Sequence, residues 1–280
     1  MKITFLGTGA IGYPLAFCNC NNCQNARKYG GKSLRKRASI LINDDLLIDL
    51  GPDTQSAMMM YNKNMGKVKY LLQTHIHTDH YDQGLLCARI PYMAMKNHLK
   101  LEIFAHPKCL EIMSNRVSRY EHADLISKEG QEKLNIESTS VNSGDKFTIG
   151  NYTVRAIDSA HDMKHGSLLY VIQAKNKTLF YATDTPALTD LALTQLKEYN
   201  IDCVIMDHTF GNVNYSFSHL NTNLFLEQLK KMKKLNIINN TTKIYGTHIS
   251  HDGMPYHELA EKKAFSNGYH IAYDGLELNL

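Results

Sequence analysis

The chain has 280 residues, which is enough for one large domain or two small ones. Its 43% hydrophobic and 21% charged residues are typical of a globular protein, and a net charge of +4 gives no strong attraction to nucleic acid or to a membrane. No apolar stretch approaches the ~20 residues of a membrane span, and the first residues lack a secretory pattern. We therefore expect a cytoplasmic protein, with the basic runs at 28–37 and 230–234 as solvated surface.

Short apolar runs bounded by turn residues predict strands along most of the chain. In chain order these are KITFL, ASILIN, LLIDL, YLLQT, LEIFA, TVRAI, LLYVIQ, TLFYAT, CVIMD, KIYGT and GLELNL. Helices are predicted over 81–96, 107–120, 186–198, 220–234 and 255–266, and the fourth is expected to be N-capped by Ser218. Hairpins followed by strand–helix alternation indicate sheets sandwiched between helices.

Two stretches need separate interpretation. The sequence GTGAIG at 7–12 matches the glycine pattern of a dinucleotide-binding turn, but no helix start or acidic residue follows at the required spacing, which favours a plain turn. The polar segment 115–140 has neither the pattern of a helix nor that of a strand. We interpret it as a possible insertion that could form a lid.

The sequence THIHTDH at 74–80, directly after a predicted strand, is the strongest functional signal. It places four nitrogen and oxygen ligands within six residues: His75, His77, Asp79 and His80. Imidazole and carboxylate together suit zinc, manganese or iron. A catalytic metal site is therefore predicted here.

This HxHxDH motif resembles the signature of the metallo-β-lactamase superfamily. The resemblance implies a single domain over 1–280 with an αββα sandwich fold, an α/β class, and two divalent metals, zinc or manganese, at one edge. Further ligands are expected at later strand ends, where His161, Asp184 and His248 stand, with His165 as the rival of His161. The implied sets are His75, His77 and His161 for one metal, Asp79, His80 and His248 for the other, and Asp184 as the bridge between them.

Two metals about 3.5–4 Å apart are suited to hydrolysis. They lower the pKa of a bridging water and neutralise charge on a phosphoryl or carbonyl oxygen. The motif therefore predicts a metal-dependent hydrolase, with Asp79 and Asp184 in the catalytic centre, and does not by itself distinguish phosphodiesters from thioesters or lactams.

The sequence CNCNNC at 18–23 crowds three thiols, which read as metal ligands in a reducing compartment. Together with GTHISHDG at 246–253 it resembles one branch of the superfamily, the phosphoribosyl 1,2-cyclic phosphate phosphodiesterases of the carbon–phosphorus lyase pathway. That resemblance implies a structural zinc that orders the segment 12–37, and it assigns His248 and His251 to different metals. The implied zinc ligands are Cys18, Cys20, Cys23 and His251.

His219, in SFSHLNT, is the remaining chemical candidate. It is expected to protonate the leaving group or to bind the substrate phosphate. A merely structural role at the start of a helix is the alternative, His208 is the competitor, and Asp207 is a candidate partner that orients a ligand. The other histidines are predicted to be ordinary surface or loop residues: His98, His106, His122, His257 and His270.

The motifs together predict a dinuclear-metal phosphodiesterase that hydrolyses a small cyclic phosphate, such as phosphoribosyl 1,2-cyclic phosphate, through a metal-bridging hydroxide. A nuclease resembling tRNase Z is the alternative in the same class. A non-hydrolytic accessory protein resembling the pyrroloquinoline quinone accessory protein B is the alternative in another class. The expected partner is a small phosphodiester, without a membrane and without nucleic acid, and a homodimer is a further hypothesis.

Overall fold

The chain folds as two mixed β-sheets packed face to face in the computed structural model, which describes residues 1–121 and 123–280. Over those residues, the first sheet contains β1 (Lys2–Gly7), β2 (Ser39–Ile42), β3 (Leu46–Ile48), β4 (Tyr70–Leu72), β5 (Leu101–Ala105), β6 (Ile136–Ser140) and β14 (Glu277–Asn279). The second contains β7 (Lys146–Ile149), β8 (Tyr152–Asp158), β9 (Leu168–Ala174), β10 (Lys177–Ala182), β11 (Cys203–Asp207), β12 (Lys243–Thr247) and β13 (His270–Ile271). Their spatial orders are β14-β1-β2-β3-β4-β5-β6 and β13-β12-β11-β10-β9-β8-β7.

Helices cover the outer face of each sheet, so the layers follow the order helix, sheet, sheet, helix. None of the helices among the described residues is long and apolar enough to cross a membrane. Helices α2 to α5 accompany the first sheet, α6 to α8 accompany the second, and α1 lies in the N-terminal segment. Their bounds are α1 (Asn21–Tyr29), α2 (Thr54–Met60), α3 (Gln83–Cys87), α4 (Pro107–Glu121), α5 (Lys128–Leu134), α6 (Asp190–Leu196), α7 (Thr222–Lys234) and α8 (His257–Ser266).

Alternating side chains of the strands supply both the central and the outer cores. In β2, Ile40 and Ile42 enter the core between the sheets, whereas Leu41 contacts the helical layer. Removing such a side chain from water contributes about 1.5–3 kcal/mol. Because both faces of the strands are buried, the central strands read as continuous apolar runs, which is why most of them were predicted.

Several predicted boundaries are wrong for local reasons. The helix predicted over 81–96 ends at Cys87, and Pro91 starts a separate short 3₁₀ turn. Helix α6 begins only at Asp190, where the Thr189 side chain accepts a hydrogen bond from the Ala192 backbone. Helix α7 is capped by Asn221 rather than by Ser218, through an oxygen that accepts from the Leu224 backbone.

The described part of the segment 115–140 contains regular secondary structure, and its interpretation as an insertion stays a prediction. It contains the end of α4, all of α5 and the strand β6, which pairs in parallel with β5. The segment 12–37, in which no helix was predicted, contains α1. The prediction for His122 falls outside the described residues.

Arg35 and His257 are buried, against the prediction that both belong to the surface or to loops. The Arg35 guanidinium donates to Thr8 Oγ1 at 2.8 Å and lies 3.1 Å from His257 Nδ1. A neutral imidazole accepts this hydrogen bond, and burial together with the nearby Arg35 charge lowers the pKa of His257 to about 3. The basic run therefore partly serves packing.

Candidate metal centres

The polar residues of the site follow the ends of strands that meet at one edge of the sandwich. The THIHTDH segment follows β4, and Asp184 and His248 follow β10 and β12. Strands β10, β11 and β12 run parallel, so their carboxyl ends lie side by side. His161 follows β8 in the same sheet. The fold thus gathers ligands that are far apart in sequence.

Three residues at these strand ends have left-handed backbone conformations. The φ angles of Asp49, Asp184 and His248 are 65°, 48° and 60°. Such conformations are uncommon for residues other than glycine and cluster at functional sites, where the surrounding structure maintains them. The side chains of Asp184 and His248 meet each other, and the side chain of Asp49 contacts the His80 ring.

Asp184 lies at the centre of the cluster. Its Oδ2 is 3.1 Å from His75 Nε2, 3.2 Å from His80 Nε2 and 3.4 Å from His161 Nε2. Its Oδ1 is 2.6 Å from His248 Nε2. One carboxylate therefore contacts histidines of both predicted ligand sets, which is the placement that a bridging ligand requires.

The remaining ligand candidates complete two neighbouring groups. His77 Nδ1 lies 3.3 Å from His161 Nε2, and Asp79 Oδ2 lies 3.4 Å from both His80 Nε2 and His248 Nε2. His165 is outside these groups, because its Nδ1 pairs with Asp162 at 3.0 Å. One group of mutually close ligand atoms comprises His75, His77, His161 and Asp184, a second comprises Asp79, His80, Asp184 and His248, and a third comprises Asp184, Asp207, His219 and His248.

The distances between these donor atoms suit a shared divalent cation better than they suit direct hydrogen bonds between the donors. His80 Nε2 and His248 Nε2 face each other at 3.2 Å, and tetrahedral ligands at zinc–nitrogen distances stand about 3.3 Å apart. The buried atoms His75 Nε2 and Asp184 Oδ1 make no hydrogen bond of normal geometry, although Asp184 Oδ2 lies 3.1 Å from the first and His248 Nε2 lies 2.6 Å from the second. Buried polar atoms are normally satisfied, so their convergence indicates cation binding.

Electrostatics favour a cation at the same place. Burial by itself raises the pKa of Asp184. The charges of His248 and His80 outweigh burial and hold that pKa well below its usual range. Burial lowers the pKa of His75 and of His161. Burial also lowers the pKa of His248, but the carboxylate of Asp184 outweighs it and raises that pKa to about 10. Ionised carboxylates thus hold positive charge at the centre.

Asp49 is a site residue that the sequence reasoning missed. It is fully buried, and its Oδ2 lies 2.7 Å from His80 Nδ1. It also accepts hydrogen bonds from the Thr74 backbone and hydroxyl, at 2.8 and 2.9 Å. These contacts orient the His80 ring so that Nε2 faces the cluster. An acidic residue directly after the apolar run LLI was the available signal.

Asp207 orients the imidazole rings of His219 and His248. Its Oδ2 is 2.9 Å from His219 Nδ1, and it accepts from the Thr209 hydroxyl, whose oxygen lies 2.8 Å from His248 Nδ1. This places Asp207 beneath His219 and His248 as a positioning group. Burial lowers the pKa of His219, and the Asp207 carboxylate outweighs it and raises the pKa above its usual value.

His208 does not share this arrangement. Its Nε2 is 3.0 Å from the Tyr269 hydroxyl, and its ring packs against Phe225 in the helical core. Burial lowers its pKa to about 4. Of the two competing histidines, only His219 lies in the cleft of about 380 Å³ that borders the cluster. The same cleft is lined by His77, Asp79, His161, Asp184, Phe210, His248 and His251, among others.

The three thiols of CNCNNC converge on His251. Its Nδ1 lies 3.4 Å from both Cys18 Sγ and Cys20 Sγ, and all four donor atoms, with Cys23, are within 4.8 Å of one another. Cys20 caps α1, and its sulfur accepts from the Cys23 backbone at 3.4 Å. Three sulfurs and one nitrogen at such spacing match a closed tetrahedral site. We call these four residues the Cys/His cluster.

The thiols differ in environment. Burial raises the pKa of Cys20, but hydrogen bonds from His251 and the Cys23 backbone outweigh it and lower that pKa to about 6. Burial raises the pKa of Cys23 to about 12. The segment is held by other contacts too, since Asn22 Nδ2 donates to the His251 carbonyl at 2.8 Å.

An αββα sandwich with this cluster of histidines and aspartates at its edge is a fold that binds divalent metals. Residues 45–249 match the family described as the beta-lactamase superfamily domain. The chain belongs to the metallo-β-lactamase superfamily, and the prediction of this family and fold is confirmed.

Solved structures and one relative show what the chain is similar to. A diphosphatase from the PhnP family has 22% identity and a TM-score of 0.75 over 100% of this chain and 97% of its own. Zn²⁺-bound PqqB from Methylobacterium extorquens has 17% identity and a TM-score of 0.71, with 100% of each chain covered. Coenzyme PQQ synthesis protein B of Bradyrhizobium diazoefficiens is 28% identical over 119 residues, which are 41% of this chain and 38% of that relative.

Proposed function

We propose that the chain is a dinuclear-metal phosphodiesterase that hydrolyses a small cyclic phosphate such as phosphoribosyl 1,2-cyclic phosphate. The observation that carries the proposal is the position of Asp184. Its two oxygens lie within 3.4 Å of His75, His80, His161 and His248, which come from both predicted ligand sets. A carboxylate so placed would be shared by two cations.

The residues divide between the two cations as follows. One would be held by His75, His77 and His161, the other by Asp79, His80 and His248, with Asp184 shared. When bound, two such cations supply a water of lowered pKa and positive charge that offsets the charge developing on a phosphoryl oxygen. Asp49 orients the His80 ring, and Asp207 orients the His219 ring.

His219 is placed to act on the substrate. Its Nδ1 pairs with Asp207 at 2.9 Å, which leaves Nε2 as the ring nitrogen available to the cleft. From there it would donate a proton to the departing ribose oxygen or bind a phosphate oxygen. Ring orientation by a buried carboxylate supports either role.

The Cys/His cluster would hold a structural zinc. Three thiolates and one imidazole leave no open position for water, which suits a structural site rather than a catalytic one. Because Cys18 and His251 are 233 residues apart, this zinc would close a very long loop and restrict the unfolded chain.

The test combines metal content with turnover. Protein loaded with zinc or manganese is assayed on cyclic phosphates, linear RNA, a lactam and a thioester, and metals are counted per chain. The proposal expects three metals per chain and the highest kcat/KM on cyclic phosphates. Faster cleavage of RNA would favour the nuclease alternative.

A second candidate is a non-hydrolytic role in a cofactor pathway. The partial match to coenzyme PQQ synthesis protein B and the full-length similarity to PqqB favour it. The complete set of histidine and aspartate ligands supports hydrolysis instead. Full metal content without turnover of any phosphodiester would favour this second candidate.

A further inference from the structure

A groove of about 420 Å³ borders the HxHxDH segment and shares no described lining residue with the cleft at the metal cluster. It is lined by Thr78, Tyr81, Asp82, Arg116 and Arg119, among others. Thr78 is exposed and stands between His77 and Asp79, which both line the cleft. Because consecutive Cα atoms are about 3.8 Å apart, the width of one residue separates the two depressions. A pentose with a phosphate at each end spans this width.

Arg116, on α4, is attached to the HxHxDH segment. Its Nη1 donates to the Ile76 carbonyl at 3.2 Å, and Ile76 lies between His75 and His77 in the sequence. Its guanidinium carbon lies 5.8 Å from the centre of the buried Tyr81 ring. These contacts hold the guanidinium at the groove. They leave further N–H groups for a ligand, because a guanidinium carries five N–H donors.

Arg119 adds a second positive charge to the groove. It is exposed and follows Arg116 by three positions on the same helix, so the two side chains share one helix face and their charges repel each other. Arg119 forms no ion pair with any residue whose side chain the structure describes. Asp82 is the one carboxylate among the described lining residues, and its Oδ1 accepts from the Gly84 backbone at 2.8 Å. The groove therefore has an excess of positive charge that an anion would neutralise.

We propose that Arg116 and Arg119 bind a second, unreacted phosphate of the substrate while its phosphodiester lies at the metal cluster. A guanidinium pairs with phosphate oxygens through two parallel N–H···O bonds, which suits arginine to a terminal phosphate monoester. The Thr78 hydroxyl offers a further donor at the same groove. The substrate class is then a pentose cyclic phosphate that carries a phosphate monoester at its other end. This inference rests on the proposed phosphodiesterase function and assigns residues to one part of its substrate.

The test uses two pairs of ligands that differ only in the 5-phosphate. Turnover by the metal-loaded protein is measured on ribose 1,2-cyclic phosphate with and without a 5-phosphate, and calorimetry compares ribose 1,5-bisphosphate with ribose 1-phosphate. Arg119→Ala should raise the KM of the 5-phosphorylated substrate and the Kd of the bisphosphate about five- to tenfold. The kcat and both ligands without a 5-phosphate should be unaffected. Arg119→Lys should restore most of the affinity, because it keeps the charge.

Lys108→Ala is the matched control, because it also removes one exposed positive charge from α4, about three helical turns from Arg119 and outside the groove. It should leave the KM and Kd values unchanged. Equal losses for ligands with and without a 5-phosphate, the same loss in Lys108→Ala, or unchanged bisphosphate affinity in Arg119→Ala would overturn the inference. Absence of turnover on both cyclic phosphates would refute the proposed function, and the calorimetric comparison would still decide whether the groove binds a phosphate.

Discussion

The histidine and aspartate cluster and the Cys/His cluster use one short segment in opposite ways. His248 is 2% exposed and has a left-handed φ of 60°, whereas His251 is partly exposed three residues later. The first turns into a buried group of nitrogen and oxygen donors, and the second turns to sulfur donors near the surface. Donor chemistry and burial together therefore separate a catalytic candidate from a structural one.

The two clusters are expected to respond differently to the loss of a ligand. In the buried cluster, removing one ligand takes away a donor that a catalytic cation would need, while the apolar cores that hold the two sheets remain packed. In the Cys/His cluster, contacts such as the hydrogen bond from Asn22 to the His251 carbonyl remain after metal loss. We expect loss of activity from the first cluster and loss of stability from the second.

The largest effect is expected for Asp184→Asn. Replacing one oxygen by an amide removes the charge that both ligand groups share, so turnover should fall at least about 10³-fold while the fold is retained. Steady-state kinetics, metal counting and circular dichroism provide the measurement. Asp190→Asn, at an exposed position in α6, is the control and should behave as the wild type. Near-normal activity of Asp184→Asn with full metal content would refute the bridging role.

His219→Ala should reduce turnover about 10²–10⁴-fold with metals retained, because a positioned acid or phosphate ligand is lost. A nitrophenyl ester has a leaving group that needs no proton, so a smaller loss on that substrate would identify His219 as the proton donor. An equal loss on all substrates would identify phosphate binding. Unchanged kinetics would leave His219 with a purely structural role.

The paired variants His251→Ala and His248→Ala should separate the two clusters. His251→Ala should lose one zinc per chain and retain partial activity, and its melting temperature should fall by about 2–4 °C for each kcal/mol lost. His248→Ala should abolish activity and retain the zinc of the Cys/His cluster. Metal analysis with differential scanning calorimetry checks both. The same metal loss in the two variants would contradict the separation.

The smallest expected effect concerns acid stability through His257. Its pKa is lowered to about 3 in the folded chain, so between the ordinary value of 6.5 and pH 3 the unfolded chain binds the extra proton. Its contribution to the free energy of unfolding is therefore complete above pH 6.5 and is lost as pH falls, by about 1–2 kcal/mol between pH 7 and pH 5.

Urea unfolding at those two pH values measures this loss. His257→Gln removes the titrating ring and keeps an acceptor for Arg35, so its stability should fall less between pH 7 and pH 5. His98→Gln, outside this buried pair, should follow the wild type. An identical pH dependence in His257→Gln would show that the buried imidazole does not carry the effect.

The structure brings together the residues that the sequence marked as metal-ligand candidates, whereas several helices were missed or given wrong bounds. Metal-ligand candidates stood out because polar residues such as Asp184 and His248 directly follow apolar strands, a pattern visible without coordinates. Helix α1 has no such pattern, since its sequence NNCQNARKY is mostly polar and only Cys23 and Ala26 are buried. The edge strand β6, IESTS, is likewise too polar to be recognised as a strand.

Contacts between residues that are far apart in the sequence were the hardest to predict. Asp49 supports His80 across 31 residues, and Arg35 contacts His257 across 222. Nothing local distinguishes either contact, because each depends on how separate strands and helices pack. The contact between the Phe210 and His219 rings was missed for the same reason, since it exists only in the folded chain.

Anomalous diffraction from metal-loaded crystals, recorded across the zinc absorption edge, tests the central claim most directly. We expect one zinc bound by Cys18, Cys20, Cys23 and His251, and separate metal peaks beside Asp184 with His248 among their ligands. Both imidazoles on a single metal, or metal-free cysteines in fully loaded protein, would contradict it.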